Sequence, residues 1–361
     1  MTITIKRVAL EAGVSVATVS RALNDTGPVR EEVRERVRTV ADRLRYVPHG
    51  GARSLITRKT NTIGVFLPDI YGEFFSEVIR GMDGVSRHRG YHLLVAGSHA
   101  DTAEILAVMR ATRGRVDGLI VMAPDLDADA IERDVPPSLP LVAMNCRLLG
   151  THFDSISIDN YGGAYAMVRH LAGLGHIRIA FLKGPERNFE SSERLRGYRD
   201  ALRAVGAVIS ADLEIPGDFT EESGYRAAQV VLARRPRPTA IFAGNDGMAL
   251  GVLAALAETD LRIPRDIAVV GFDDIPVARY VAPPLSTVHV PIAELGARAM
   301  ERLLLALERG ADHERRHEVL PTTLRVRGSC GSQASPVSLT ASQEANNGQG
   351  SSISREGRKV K

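Results

Sequence analysis

The chain has 361 residues, 44% hydrophobic and 25% charged, with a net charge of +3, enough for two or three domains and a sizeable core. No apolar run approaches the ~18 residues of a membrane span and no apolar signal region opens the chain, so a cytoplasmic protein without membrane contact is expected. Residues 1–60 hold 12 Lys+Arg against 6 Asp+Glu, a surplus of +6 that leaves −3 for the other 301 residues. A basic end on a nearly neutral body suits a phosphate-binding headpiece. Cys146 and Cys330 lie far apart, and in an intracellular chain they are expected as thiols rather than a bridge.

From Thr4 to Asn24 the pattern predicts two short helices joined by a tight turn. Val8, Ala9 and Ala12 recur at helical spacing, Gly13-Val14-Ser15 breaks the period, and Val16, Val19, Ala22 and Leu23 restart it. Gly13 supplies the positive φ that the turn needs, small Ala9 lets the helices approach, Val19 fills the space between them, and Ser15 caps the second helix. A second helix held this way lies in the DNA major groove with its first residues against base edges. Ser15, Val16, Ala17, Thr18, Ser20, Arg21 and Asn24 are therefore the candidate DNA-contacting residues. Val16 and Ala17 suit thymine methyls, Thr18 and Ser20 suit phosphates or bases, and Arg21 suits a bidentate contact with guanine.

A loop follows from Asn24 to Pro28, then a third helix over Glu31 to Arg45, with Val33, Val37, Val40 and Leu44 on one face and Arg30, Arg34, Arg38 and Arg45 as candidate backbone contacts. From Ile63 onward short apolar runs alternate with helical stretches: Ile63–Leu67, Tyr91–Ala96, Gly118–Met122, Leu141–Met144, Ile177–Leu182, Thr239–Ala243 and Ile267–Gly271. This is the mark of parallel βαβ sheets, and two such units in tandem make two doubly wound subdomains. Asn245 and Asp246 follow one of these strands and Asp273 another, where amides and carboxylates can bond ligand hydroxyls; Asn245 or Asp246 could instead cap the next helix, and Asp246 is expected to, since an acid suits a helix N-terminus. Beyond Arg327 the composition turns to Ser, Gln, Asn and Gly and predicts a disordered tail over residues 329–361.

The helix-turn-helix, followed by Tyr46-Val47-Pro48, Ala52-Arg53-Ser54-Leu55 and Thr60-Asn61-Thr62-Ile63-Gly64, resembles the lactose-repressor (LacI/GalR) family of bacterial transcription regulators. The resemblance continues through Leu174-Gly175-His176, Gly244-Asn245-Asp246 and Gly271-Phe272-Asp273-Asp274, and covers roughly residues 2–328. It implies an α/β protein: an all-α headpiece over residues 1–48, a hinge over 49–61, and a periplasmic-binding-protein-like core over 62–328. Three crossovers would divide that core into a first subdomain (62–159 and 291–327) and a second (160–290). It also implies a homodimer on a palindromic double-stranded DNA operator, with a sugar or sugar derivative as effector in the cleft between subdomains. Ala52 and Leu55 would enter the minor groove, Leu55 as the wedge that kinks the duplex. Phe74, Phe75, Asn145, Arg194, Phe219, Asn245 and Asp273 would contact the effector. The chain departs from the family at Arg7, where an acid usually completes the first helix cap, and at Asn145, which replaces a frequent aspartate. Arg147 nearby suits either an acidic or phosphorylated sugar or a salt bridge.

Enzyme signals are weak: no phosphate-cradling loop and no Gly-x-Ser-x-Gly elbow is present. His313 and His317 are four apart among Glu and Arg with no evident third ligand, so neither a metal nor another cofactor is expected. The competing reading is a cytoplasmic sugar-binding or sugar-converting protein with an incidental headpiece. Gly50-Gly51 each cost a helix about 1 kcal/mol relative to alanine, so amides 50–58 are expected to exchange freely without DNA and to become protected on an operator. Protection in the DNA-free protein, measured by hydrogen exchange, contradicts this.

Overall fold

The computed structural model describes residues 3–46, 59–97, 102–124, 133, 135–136, 138–146 and 153–331. The hinge positions Ala52 and Leu55, Arg147 and the tail beyond residue 331 lie outside the described residues.

Three helices open the chain: α1 (Ile5–Ala12), α2 (Val16–Leu23) and α3 (Glu31–Arg43). Gly13 takes φ 64°, and Val14 N–H closes the α1 end on the Ala9 carbonyl at 3.1 Å. Val8, Ala9, Ala12, Val19, Ala22, Val37, Val40 and Ala41 form the small core of the three helices. Thr4 has the extended backbone of an N-cap, but its side chain makes no capping bond. The Arg7 guanidinium, at the position where an acid would complete the cap, pairs with Glu11 one turn on, at 2.9 Å. The third helix ends at Arg43, not Arg45: Arg45 sits at φ 52°, and Tyr46 N–H returns to the Ala41 carbonyl at 2.8 Å. Arg34 and Arg38 both pair with Asp25, so two of the arginines expected on DNA phosphates fasten the preceding loop.

The rest alternates strand and helix: β1 (Thr62–Leu67), α4 (Glu73–His88), β2 (His92–Gly97), α5 (Thr102–Ala111), β3 (Gly118–Met122), β4 (Leu141–Met144) and β5 (Asp154–Ile158). Next come α6 (Asn160–Gly173), β6 (Ile179–Leu182), α7 (Phe189–Ala204), β7 (Glu214–Ile215), α8 (Glu221–Ala233), β8 (Ala240–Ala243), α9 (Asp246–Ala257), β9 (Ala268–Asp273) and β10 (Ser286–His289). The described chain closes with α10 (Ile292–Arg309), β11 (His317–Leu320) and β12 (Thr323–Arg325). One sheet runs β11-β5-β4-β3-β1-β2 and the other β12-β10-β9-β8-β6-β7. All pairings are parallel except β10 with β12, as expected for doubly wound sheets with helices on their faces.

The chain crosses between the sheets after β5, after β10 and after β11. The last crossing corrects the boundary at residue 327: β12 pairs in the second sheet, so only residues up to about 320 return to the first. The tail boundary moves as well. Residues 328–330 form a 3-10 turn in which Ser329 and Cys330 are fully buried, because Ser329 Oγ donates to the Val269 carbonyl at 2.6 Å and accepts from Ser286 N–H at 2.8 Å. Among the described residues no helix is long and apolar enough to cross a membrane.

Helices pair by bringing glycine against backbone. A Cβ on Gly81 of α4 would lie 1.9 Å from the Ala293 carbonyl oxygen, and one on Gly296 of α10 2.1 Å from that of Val78. Gly81→Ala therefore has to push α4 and α10 apart and should destabilise the first subdomain by about 2–3 kcal/mol, read as a lower thermal midpoint. Gly84→Ala, three residues on and facing open space, should not.

Candidate functional site

The α2 helix has two unlike faces. Val19 and Ala22 are buried against α1 and α3, whereas Val16, Ala17 and Arg21 are exposed and Thr18, Ser20 and Asn24 half-buried. Ser15 caps the helix, accepting from Thr18 N–H at 3.1 Å, and its hydroxyl also meets Thr18 Oγ1 at 2.9 Å. Asn24 Nδ2 donates to Ser20 Oγ at 3.4 Å. The outward surface is therefore Val16, Ala17 and Arg21, flanked by hydroxyls whose bonds fix its shape. The Arg21 stem lies beside Gly27, where a Cβ would meet it at 3.6 Å.

The second site is a cavity of about 600 Å³ between the subdomains, at the carboxyl ends of the strands, the ligand position of open α/β sheets. Six of the seven expected effector residues line it: Phe74, Phe75, Arg194, Phe219, Asn245 and Asp273. Asn145 does not. It is fully buried at φ 48°, and neither atom of its amide has a hydrogen-bond partner among the described residues.

Arg194, buried on α7, organises the floor. Nε donates to Asn160 Oδ1 at 2.8 Å and Nη1 to the Gly244 carbonyl at 2.6 Å. Nη2 lies 3.4 Å from Asp273 and 3.6 Å from Glu190, while the guanidinium carbon sits 3.9 Å from the Phe272 ring centroid. Burial pushes the Asp273 carboxyl up to about 6, against the pull of Arg194. Asp273 also holds φ 114° and Asp274 φ 59°, a strained pair at the strand end.

The expected capping role of Asp246 is corrected by the structure. Asn245, not Asp246, caps α9: its Oδ1 accepts from Met248 N–H at 2.9 Å and its Nδ2 donates to the Phe219 carbonyl at 3.0 Å. Asp246 is fully buried, accepting from Ile275 N–H at 3.0 Å and Thr287 Oγ1 at 2.6 Å. Burial, and then the charge of Asp273, raise its pKa well above the ordinary value. Phe219 takes φ 72°, and its ring covers Gly184 so closely that a Cβ there would meet Cζ at 2.1 Å.

Sequence reasoning missed Asn160, Gly184, Glu190 and Glu73. Glu73 begins α4 in the first subdomain, and its Oε2 accepts from Val277 N–H of the second at 2.8 Å. Phe189 N–H to the Pro124 carbonyl, at 3.3 Å, is a further bond across the cleft. The paired histidines have other partners than a metal: His313 meets buried Asp154 at 2.6 Å and His317 meets Ser155 Oγ at 2.6 Å.

Comparison with known proteins matches residues 4–49 to "Bacterial regulatory proteins, lacI family" and residues 168–330 to "Periplasmic binding protein-like domain". The HTH-type transcriptional repressor PurR of Photobacterium profundum is 36% identical over 315 residues, 87% of this chain and 94% of the relative. The ribose operon repressor of Escherichia coli K12 is 34% identical over 328 residues, 90% of this chain and 99% of the relative. A crystal structure of the lac repressor dimer bound to operator and the anti-inducer ONPF superposes with a TM-score of 0.81 at 28% identity, covering 91% of this chain and 99% of that one.

Asp273 also sets a pH dependence. Its folded pKa is raised to about 6, so the native state keeps a proton that the unfolded chain releases near pH 4, and the stability this contributes is lost as pH rises through about 6. Melting curves at pH 4.5 and 7 should show Asp273→Asn gaining relative to the parent protein at the higher pH, by about 2 kcal/mol. An unchanged difference between the two proteins assigns the titration to another group.

Proposed function

The chain belongs to the lacI family of bacterial regulatory proteins and is a DNA-binding transcriptional regulator; from that premise we propose that it represses carbohydrate-metabolism genes as a cytoplasmic homodimer. Its operator is a palindrome, and its grip on that operator is set by a small sugar-like effector in the cleft. We assign residues 1–48 to the headpiece and 49–61 to the hinge. The curated relatives reported above are repressors, and the roles assigned here include no catalytic one. One observation carries the reading: a basic helix-turn-helix with an outward Val16-Ala17-Arg21 surface shares its chain with a cleft built for a small ligand.

On DNA, Val16 and Ala17 meet thymine methyls and Arg21 reads guanine. The hinge residues Ala52 and Leu55 open the minor groove at the operator centre. Coupling runs through the point where the hinge joins the core. Thr60 N–H and Oγ1 donate to Asp117 Oδ1 at 2.7 and 2.8 Å, and Asn61 N–H to Oδ2 at 2.8 Å. These bonds clamp the chain to the start of β3, so a rotation of the first subdomain passes into the hinge instead of being absorbed by slack. A tenfold change in operator affinity requires the effector to prefer one arrangement by about 1.4 kcal/mol.

The Val16-Ala17 reader pair is widespread in the family and points to a pseudo-palindrome with a central CG step, and fluorescence anisotropy with such a labelled palindrome tests this reading across salt concentrations and a panel of sugars. The expected result is salt-sensitive binding that one sugar alters. Arg21→Ala should weaken it by about 10- to 100-fold. Equal affinity of the variant and the parent protein removes Arg21 from the interface.

A further inference from the structure

Much of the positive charge of the headpiece is already engaged within it. Residues 3–46 hold nine Lys and Arg, and two carboxylates take four of them. Glu11 holds Arg7 of α1 and Arg43 of α3, while Asp25, in the loop between α2 and α3, holds Arg34 and Arg38. Asp25 stands at the edge of the surface that reads DNA. It lies two residues beyond the end of α2, Thr26 N–H returns to the Arg21 carbonyl at 3.1 Å, and the Arg21 stem lies beside Gly27.

The two guanidinia at Asp25 are not equivalent. Arg34, whose side chain is 14% exposed, has a second carboxylate, Glu31, at 3.3 Å, so it stays in place without Asp25. Arg38 is 49% exposed, and Asp25 is its one carboxylate partner among the described residues. Its Nη2 donates to both oxygens, at 2.9 and 3.2 Å.

As a contribution to stability such an exposed pair is worth little. It decides which acceptor Arg38 serves, because a DNA phosphate is the other strong acceptor for a guanidinium at this surface. Phosphate contacts supply essentially all binding to non-operator DNA, whereas an operator also engages base edges that fix the register of the headpiece. On other sequences the headpiece settles wherever most of its cations meet phosphates, so a freed Arg38 strengthens that mode more.

We propose that Asp25 sharpens operator selection: by holding Arg38 it withholds a phosphate contact and keeps the regulator from DNA that is not its operator. Asp25 is a positioning residue here, acting through Arg38. Its charge also repels phosphate in a general way, an effect shared by Glu35, which is exposed on the same helix and outside these pairs.

The test is Asp25→Asn in the full-length protein, a substitution that removes the charge and suits the left-handed backbone at this position, φ 51°. Fluorescence anisotropy compares a random-sequence duplex with the central-CG palindrome of equal length across salt concentrations. Asp25→Asn should bind the random duplex several-fold more tightly at low salt and lower the ratio of palindrome to random affinity. It should also steepen the slope of log K against log[salt] by about 0.9, the mark of one further phosphate. Asp25→Asn/Arg38→Ala should lose all three effects, and Glu35→Gln, with the same change of charge, should reproduce only a small part of them. The proposal is overturned by a slope and random-duplex affinity in Asp25→Asn no greater than in Glu35→Gln, by a gain that survives the loss of Arg38, or by an equal gain on both duplexes. If the parent protein binds both duplexes alike, the choice of palindrome fails instead, and the random-duplex slopes alone support or overturn the withholding of Arg38.

Discussion

Everything in the cleft is arranged around one buried guanidinium. Arg194 joins Asn160, just beyond the first crossover, to Gly244 at the end of β8 and Asp273 at the end of β9, all against the face of Phe272. A cation held this far from water is tolerable only because every side of it is occupied by an acceptor, a carboxylate or a π face. Removing any one partner leaves charge uncompensated, so the floor of the cavity behaves as a unit. That rigidity is what allows the neighbouring residues to hold unfavourable backbone angles: Phe219, Asp273 and Asp274 all lie at positive φ, at a cost of order 1–2 kcal/mol each.

The fold was largely legible in the sequence because its signals are local. Gly118–Met122 and Leu141–Met144 are strands with the bounds of their apolar runs, and every residue in both is buried, as continuous runs in two-sided parallel sheets should be. The turn at Gly13 and the packing at Val19 follow from spacing alone. The strands that escaped notice are those whose pattern is not apolar. Asp154-Ser155-Ile156-Ser157-Ile158 mixes polar residues into a strand that is shielded by α10 and β11, and His317–Leu320 is an edge strand with only Leu320 buried. The third crossover, between Leu320 and Thr323, has no composition signal at all. It is a consequence of which sheet edge lies open to three residues, a tertiary fact.

The site was legible as a set of types and less so as a set of roles. Strand-end position identified Asn245 and Asp273, but periodicity cannot show that Asn245 spends its amide on α9 and Phe219 while its neighbour Asp246 turns inward to Thr287. Asn160 and Gly184 matter only because Arg194 and Phe219 reach them from distant parts of the chain. Asn145 shows the opposite limit. The family pattern brings it to the ligand, whereas here its side chain is buried, with no partner among the described residues and away from the cavity lining.

Two carboxylates of the first subdomain, Glu73 and Asp117, hold the contacts on which a response to a ligand would have to act. Glu73 touches the second subdomain through Val277 and lies on the cavity wall, so a ligand that engages the wall competes with, or reinforces, the bond that holds the cleft in this arrangement. Asp117 fixes Thr60 and Asn61 to the same subdomain that carries Glu73. A ligand with equal affinity for both arrangements would shift nothing. Differential contact is therefore the requirement, and the bond from Val277 N–H to Glu73 is one that spans the two subdomains at the cavity wall.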